Sequence, residues 1–328
     1  MTFAKGLQLV NRDESGIDLA FRADVLAGLA SAQKAIPARW FYDDIGSQLF
    51  EDITQLPEYY PTRAEASILR SRSADIAKLI GPGRTVVEFG SGSSVKTPLL
   101  LSAIQPSAYV PLDIAGDFLR ASSAALEEKF PGLPVYPVEA DFMRRVELPG
   151  ETASLPKLGF FPGSTIGNMI ARTATDLLRS MRETLGEGAL LLIGMDLVKD
   201  EEVLLAAYDD AAGVTAQFNL NLLTRINREL AGTVPVESFR HEARWNDTFA
   251  RIEMHLVANE DISFTVSEQT FSMVAGESIH TENSHKFTRR SSQSLLAAGG
   301  WEPRARWTDE DGQFSLLLAE ACAPRSAP

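Results

Sequence analysis

"VVEFGSGSSVKT", residues 86–97, decides how the chain folds. A β-branched apolar run ends at Glu88-Phe89, glycines follow at 90 and 92, and Thr97-Pro98 suits the entry of a helix. Strand, glycine turn and helix start make a corner for an anion or a ribose. Glycine allows close backbone approach there, and helix N–H groups face the ligand. Three turns compete for it. A dinucleotide fingerprint, G-x-G-x-x-G, needs glycine where the chain has Val95. A phosphate loop starting at Gly90 has Lys96 and Thr97 in place, yet needs that same glycine. The third, acidic-x-G-x-G, is met by Glu88-Phe89-Gly90-Ser91-Gly92.

Downstream, strand candidates lie at 108–114, 133–142, 158–164 and 189–197, with helical segments around 116–129 and 171–185. Upstream, Thr62 with Glu65 three residues later reads as a capping box, opening a helix that Gly81-Pro82-Gly83 stops. Continuous apolar strands alternating with helices predict a parallel sheet covered on both faces. Asp113 closes the second strand, where a carboxylate can accept hydrogen bonds from a ribose diol. Asp141-Phe142 closes the third, where an acid can meet an adenine amino group and a ring can cover the base. All three features fall at carboxyl ends of parallel strands, where open α/β sheets bind ligands. The sheet is therefore expected to bind a nucleoside, and S-adenosylmethionine methyltransferases carry a turn of this form.

After Asp200 the pattern changes to a long helical stretch, then to the antiparallel strand candidates "RIEMHLVAN", "DISFTV" and "TFSMVAGESIHTE". Past residue 288 a helix and two last strands return, completing the parallel sheet with an antiparallel edge. The predicted division is discontinuous: a nucleotide-binding-type core from 63–196 plus 288–321, and a second domain from 1–62 plus 197–287.

Bulk properties narrow the function. The 328 residues, 45% of them hydrophobic and 23% charged, suffice for two cores. A net charge of −13 argues against nucleic acid or an anionic membrane as partner. The single cysteine, Cys322, excludes a disulfide framework and a cysteine-based zinc site, and a reducing cytoplasm is the default. The first residues carry no secretory pattern, and apolar runs such as 189–195 are too short to span a bilayer.

Longer motifs carry a resemblance. "WFYDDIGSQLFEDITQLPEYYPTRAE" (40–65), "PGSTIGN" (162–168), "MDLVKD" (195–200), "AYDDAAGVTAQFNLN" (207–221) and "TENSHKF" (281–287) resemble the L-histidine Nα-methyltransferases of ergothioneine biosynthesis. The likeness runs from about residue 20 to 321. It implies a Rossmann-like class I methyltransferase sheet with an inserted α+β substrate-binding domain. It also implies three methyl transfers from S-adenosylmethionine to the α-amine of histidine, giving hercynine, in a cytoplasmic monomer without a metal. The wider family includes N-methyltransferases of tryptophan derivatives, so another aromatic amine is the alternative acceptor. By the same resemblance Gly90, Lys96, Asp113, Asp141 and Phe142 contact the cofactor. Asn168 and Tyr208 hold the substrate carboxylate. Tyr59 and Met254 lie at the imidazole, and Thr215 belongs to the same substrate set. Tyr42, Gly163 and Thr165 lie near the amine, with Tyr42 assisting its deprotonation.

"IHTENSHKF" (279–287) holds two of the four histidines. Read as an unbroken strand, it puts Glu282 and Ser284 on one face with His280, and Asn283 and His285 on the other. The two histidines then cannot share one ion, and no third histidine is near in sequence, so no metal site is expected. Glu282 and Ser284 make a carboxylate–hydroxyl pair suited to the two nitrogens of an imidazole. His241 and His255 are read as structural or surface residues.

Overall fold

A computed structural model of the chain describes residues 16–92, 96–114 and 116–322. The first fifteen residues and Val95, on which the phosphate-loop readings turned, lie outside the described residues. The strands are β1 (Lys34–Ala35), β2 (Thr85–Phe89), β3 (Ala108–Asp113), β4 (Val138–Glu139), β5 (Lys157–Phe161), β6 (Leu190–Asp196), β7 (Phe239–Asn246), β8 (Arg251–Ala258), β9 (Ile262–Val266), β10 (Gln269–Met273), β11 (Ser278–His285), β12 (Trp301–Thr308) and β13 (Phe314–Ala321). The helices are α1 (Leu19–Ala30), α2 (Asp44–Gln55), α3 (Tyr60–Ser71), α4 (Ser73–Ile80), α5 (Thr97–Ile104), α6 (Gly116–Lys129), α7 (Ala171–Leu185), α8 (Glu201–Tyr208), α9 (Val214–Glu229) and α10 (Arg289–Ala298). None of them is long and apolar enough to cross a membrane. Two compact units divide the described chain. One takes Pro61–Val198 and the residues from Lys286 on; the other ends at Tyr60 and resumes over Lys199–His285.

The first unit is built on a seven-stranded sheet of order β12-β13-β6-β5-β2-β3-β4. From β6 to β4 the pairing is parallel, and the β12–β13 hairpin closes the β6 edge antiparallel. Every residue of β2 and β6 is buried, as apolar runs covered on both faces require. Alternation along the strands feeds two cores. Val86 and Leu192 meet Ile68 and Leu100 on one face, while Val87 and Ile193 meet Leu177, Met181 and Leu296 on the other. Each such side chain contributes about 1.5–3 kcal/mol on burial. Trp301 is fully buried and satisfied, its indole N–H donating to the Leu178 carbonyl at 2.8 Å. Strands β3 and β4 extend the sheet to one side of β2, and β5 and β6 to the other. The strand order therefore reverses at the carboxyl end of β2, which is where the glycine turn stands.

Three expectations change here. The capping box at Thr62–Glu65 does not form: α3 begins at Tyr60, and Glu65 is a fully buried residue inside it. The expected single helix is interrupted at Arg72. The strand expected over 133–142 shrinks to Val138–Glu139, with one further bridge between Val135 and Tyr109, because Pro134 and Pro137 cannot donate to a ladder.

The second unit carries a four-stranded sheet, β1-β11-β8-β7, and the separate hairpin β9–β10. Phe41, Phe218, Leu222, Ile226, Met254, Leu256 and Ile279 share its core with α1, α2, α8 and α9. Sequence patterning missed β7, of which only Phe239 is buried. A bulge in β11 has larger consequences. His280 pairs with His255 and Glu282 with Met254, so Thr281 is an extra residue that resets the alternation. Residues directly opposite in a ladder project to the same face. His280, Asn283 and His285 thus share the face of His255, Glu253 and Arg251, while Glu282 and Ser284 share that of Met254 and Ile252. The expectation that His280 shares a face with Glu282 is overturned by one inserted residue.

Candidate active site

In the first unit Gly90, Asp113 and Phe142, three of the residues expected at the cofactor, gather at the ends of β2 and β3. Gly90 has φ 72°, a conformation that a Cβ disfavours. Its N–H and that of Ser91 both donate to the Leu112 carbonyl, at 2.9 and 3.1 Å. The Gly92 N–H donates to the Asp113 carboxylate at 3.2 Å, tying the turn to the neighbouring strand end. A Cβ on Gly90 would stand 3.5 Å from the Phe142 ring, which packs edge-on against Phe89 and Phe161. Asp141 is exposed and accepts the Met143 N–H at 3.0 Å. The Ser91 hydroxyl is buried without a hydrogen-bond partner among the described residues. Glycine backbone, the Asp113 carboxylate at a strand end, Asp141 two residues beyond β4, an aromatic face and a buried hydroxyl fit a nucleoside.

Glu88, the acid of the turn, faces inward instead. It is fully buried, accepts from the Thr97 hydroxyl at 2.8 Å and from Tyr109 at 2.7 Å, and burial pushes its carboxyl up to about 7. Lys96 is held in an ion pair of 2.9 Å with Glu65, whose same oxygen accepts the Gly163 N–H at 2.8 Å. Glu65 therefore fixes the turn after β5, where Gly163 has φ 81° and Ser164 φ 59°. The Ser164 hydroxyl accepts the Asp196 N–H at 2.9 Å, and Asp196 forms a buried ion pair of 2.8 Å with Lys286. Thr165 donates back to the Pro162 carbonyl at 3.1 Å, and Asn168 ends the short 3-10 turn, half-buried.

In the second unit Tyr42, Tyr59, Tyr208 and Ser284 are joined by ring contacts and one hydroxyl contact. Rings run from Tyr42 to Phe50 (5.7 Å), from Phe50 to Tyr59 (6.2 Å) and from Tyr59 to Tyr208 (6.3 Å), all edge to face. The Tyr208 hydroxyl lies 2.6 Å from Ser284 Oγ, and Met254 is opposite Glu282 on the adjacent strand. Tyr42 is 43% exposed, and desolvation, then the negative charge of Glu282, raises its phenol above the ordinary value. Asp43 pins the segment that carries Tyr42: it accepts from the Gly46 N–H, from Asn221 and from Arg228, at 2.7, 2.8 and 2.6 Å. Thr215 is buried in the first turn of α9, its N–H donating to Asp210 at 2.7 Å.

Sequence reading missed Glu65, Asp43 and Asn221. Asp43 carried a usable signal, an acid three residues ahead of Gly46 at a helix start; Glu65 and Asn221 act across long sequence separations and carried none. His241 and His255 are not surface residues, since their side chains are 1% and 5% exposed. Glu253, His255 and His280 each bring one atom of metal-ligating type within 4.8 Å of the others. The metal exclusion assumed that no third histidine lies near, and the β8–β11 pairing removes that ground. These groups bond to protein: Glu253 accepts from Arg251 and Asn246, His255 lies 3.2 Å from Glu253, and the His280 ring lies 2.9 Å from the Glu282 carbonyl.

The chain matches the family model of histidine-specific, S-adenosylmethionine-dependent methyltransferases over residues 21–321. It is 42% identical over 310 residues to the histidine N-alpha-methyltransferase of Mycolicibacterium smegmatis, covering 92% of this chain and 94% of that protein. To the protein of the same name from Mycobacterium tuberculosis it is 43% identical over 308 residues, with 92% and 95% covered. Ergothioneine biosynthesis protein 1 of Neurospora crassa is 29% identical over 303 residues, covering 88% of this chain and 33% of that protein.

Proposed function

The chain belongs to the histidine-specific, S-adenosylmethionine-dependent methyltransferases, and on that premise we propose that it trimethylates the α-amine of L-histidine to hercynine, opening ergothioneine biosynthesis. The observation that carries the choice of acceptor is the bulged strand β11. It turns a carboxylate and a hydroxyl, Glu282 and Ser284, to one face together with Met254. An imidazole offers one N–H donor and one acceptor nitrogen, and that pair answers both. An indole or a phenyl ring would leave one of these groups unpaired, which costs about 1–3 kcal/mol.

The bound donor supplies an electrophilic methyl on a sulfonium, a leaving group good enough that no metal is required. Gly90 and Ser91 would hold it through backbone and hydroxyl, Asp113 at the ribose, Asp141 and Phe142 at the base, and Lys96 beside the Gly163 turn. Tyr59, Tyr208, Thr215 and Met254 would surround the acceptor, and Gly163, Thr165 and Asn168 keep the roles of their motif. Before each transfer the ammonium must lose a proton. Tyr42, held as a neutral phenol, would accept a hydrogen bond from the amine and relay its proton to water rather than act as a phenolate. The same reading takes the protein as a cytoplasmic monomer acting on a small molecule, with no nucleic-acid or membrane partner.

Incubation with S-adenosylmethionine and each of the twenty amino acids, read by mass spectrometry, tests the proposal. Histidine carrying three added methyl groups is the expected product. Turnover of tryptophan with none of histidine would transfer the assignment to the alternative acceptor.

A further inference from the structure

Within the second unit a chain of hydrogen bonds runs from α9 to the bulge of β11 and takes no direct part in the proposed reaction. Asn219 of α9 is 0% exposed. Its Nδ2 donates to the His255 carbonyl at 3.2 Å and lies 2.8 Å from His241 Nδ1, while its Oδ1 accepts from the Thr281 hydroxyl at 2.8 Å. His241 Nε2 lies 2.7 Å from the backbone carbonyl of Tyr208.

These partners fix the protons of Asn219 and His241. Only an N–H can face the His255 carbonyl, so the amide orientation of Asn219 has no alternative. His241 Nδ1 must then accept, and Nε2, against the Tyr208 carbonyl, must carry the hydrogen. A second proton on Nδ1 would point at an N–H, so the chain holds only while the imidazole is neutral. Burial favours that state and pushes the His241 pKa below its ordinary value, against the raising influence of the Tyr208 carbonyl, Asp209, Asp210 and Glu242.

The chain ends at two places that aim the proposed acceptor site. Tyr208 reaches Ser284 through its hydroxyl. Thr281 is the inserted residue of the bulge, and its one hydroxyl hydrogen is shared between Asn219 Oδ1 and the Met254 carbonyl, 2.8 and 3.1 Å away. Bulges re-aim the side chains beside them, and without this one the alternation would move Glu282 and Ser284 to the opposite face from the one they occupy, relative to His280. We propose that His241, Asn219 and Thr281 are positioning residues for the acceptor, a neutral imidazole holding Tyr208 and the bulge in the geometry that presents Glu282 and Ser284. The proposal rests on reading the face of Glu282 and Ser284 as the histidine site.

Nitrogen-15 NMR of the full-length protein at pH 7 should find His241 neutral with its proton on Nε2. An Nδ1–H tautomer or an imidazolium overturns the proposal, whatever the substrate. Thr281→Val keeps the side-chain shape and removes the hydroxyl. The KM for the acceptor should rise about tenfold while kcat and the KM for S-adenosylmethionine stay within about twofold. No change, or equal change in both KM values, overturns it. Asn219→Asp places a carboxylate against Nδ1 and favours the imidazolium. The ratio of variant to wild-type acceptor KM should therefore fall as the pH drops below 6.5, the substrate's own titration cancelling in the ratio; a flat or rising ratio counts against the chain. Should wild type leave histidine unmethylated while the tautomer stands and Thr281→Val weakens another acceptor, the proposed function fails and the positioning chain is upheld.

Discussion

Glu88 in the first unit and Glu282 in the second are both glutamates in strands beside a candidate ligand site, yet they are used in opposite ways. Glu88 is fully buried, and its oxygens are taken by Thr97 and Tyr109. It braces the turn, and the backbone of Gly90 and Ser91 with the side chain of Asp113 is what remains to face a ligand. Glu282 is only half-buried and shares one face of a bulged strand pair with Ser284 and Met254. The proposed nucleoside corner thus rests on backbone supported by a hidden acid, and the proposed acceptor wall on side chains supported by a hidden amide. A backbone site tolerates changes in side chains but not in φ; a side-chain site has the reverse sensitivity.

The largest effect that can break this contrast is expected at Glu282. Glu282→Ala removes a charged acceptor from that wall, worth about 1.5–3 kcal/mol, so histidine affinity should fall on the order of a hundredfold. S-adenosylmethionine affinity should hardly move. Calorimetric titration of both ligands checks this, and equal losses would dissolve the distinction between the two sites. The reverse experiment is Gly90→Ala. Its φ of 72° costs a side chain about 1–2 kcal/mol, and the new methyl would lie against the Phe142 ring. S-adenosylmethionine affinity should drop about tenfold with histidine affinity retained. Unchanged cofactor binding would mean that the turn is not the nucleoside corner.

The contrast also explains what could be seen in the sequence. The first unit was legible because its site follows from local order. Apolar runs set the strands, glycine sets the turn, and Asp113 ends β3, while the prolines that shorten β4 leave Asp141 two residues beyond it. The second unit's residues could be named through long motifs, but their geometry could not. One inserted residue, Thr281, inverted the expected faces of β11, and nothing in "IHTENSHKF" announces a bulge. Strand β7 was hidden because seven of its eight residues are not buried. Glu65 looked like half of a capping box because Thr62-x-x-Glu65 has that spacing. Its true partners, Lys96 and the Gly163 N–H, are 31 and 98 residues away. Asn219, 22 residues from His241 and 62 from Thr281, was unreadable for the same reason.

Glu88 sharpens the comparison in the quietest way, since replacing it should alter stability with pH rather than binding. Its carboxyl titrates at about 7 in the folded protein, against an ordinary value of 4.5, because burial disfavours the charge more than Tyr109, Thr97 and Lys96 favour it. Between these two values the unfolded chain is ionised while the folded chain still holds the proton. Stability therefore falls as pH rises through that window and is constant with respect to this group above about 7. Glu88→Gln keeps an acceptor for Tyr109 and cannot ionise, so this part of the decline should vanish. Relative to wild type, the variant should gain on the order of 3 kcal/mol between pH 4.5 and pH 8 in denaturant unfolding. Its affinity for S-adenosylmethionine at pH 8 should stay within about twofold of wild type, because the side chain faces the core and not the ligand. A parallel pH dependence in the two proteins, or a large loss of cofactor affinity, would place Glu88 among the recognising groups and make the two glutamates alike after all.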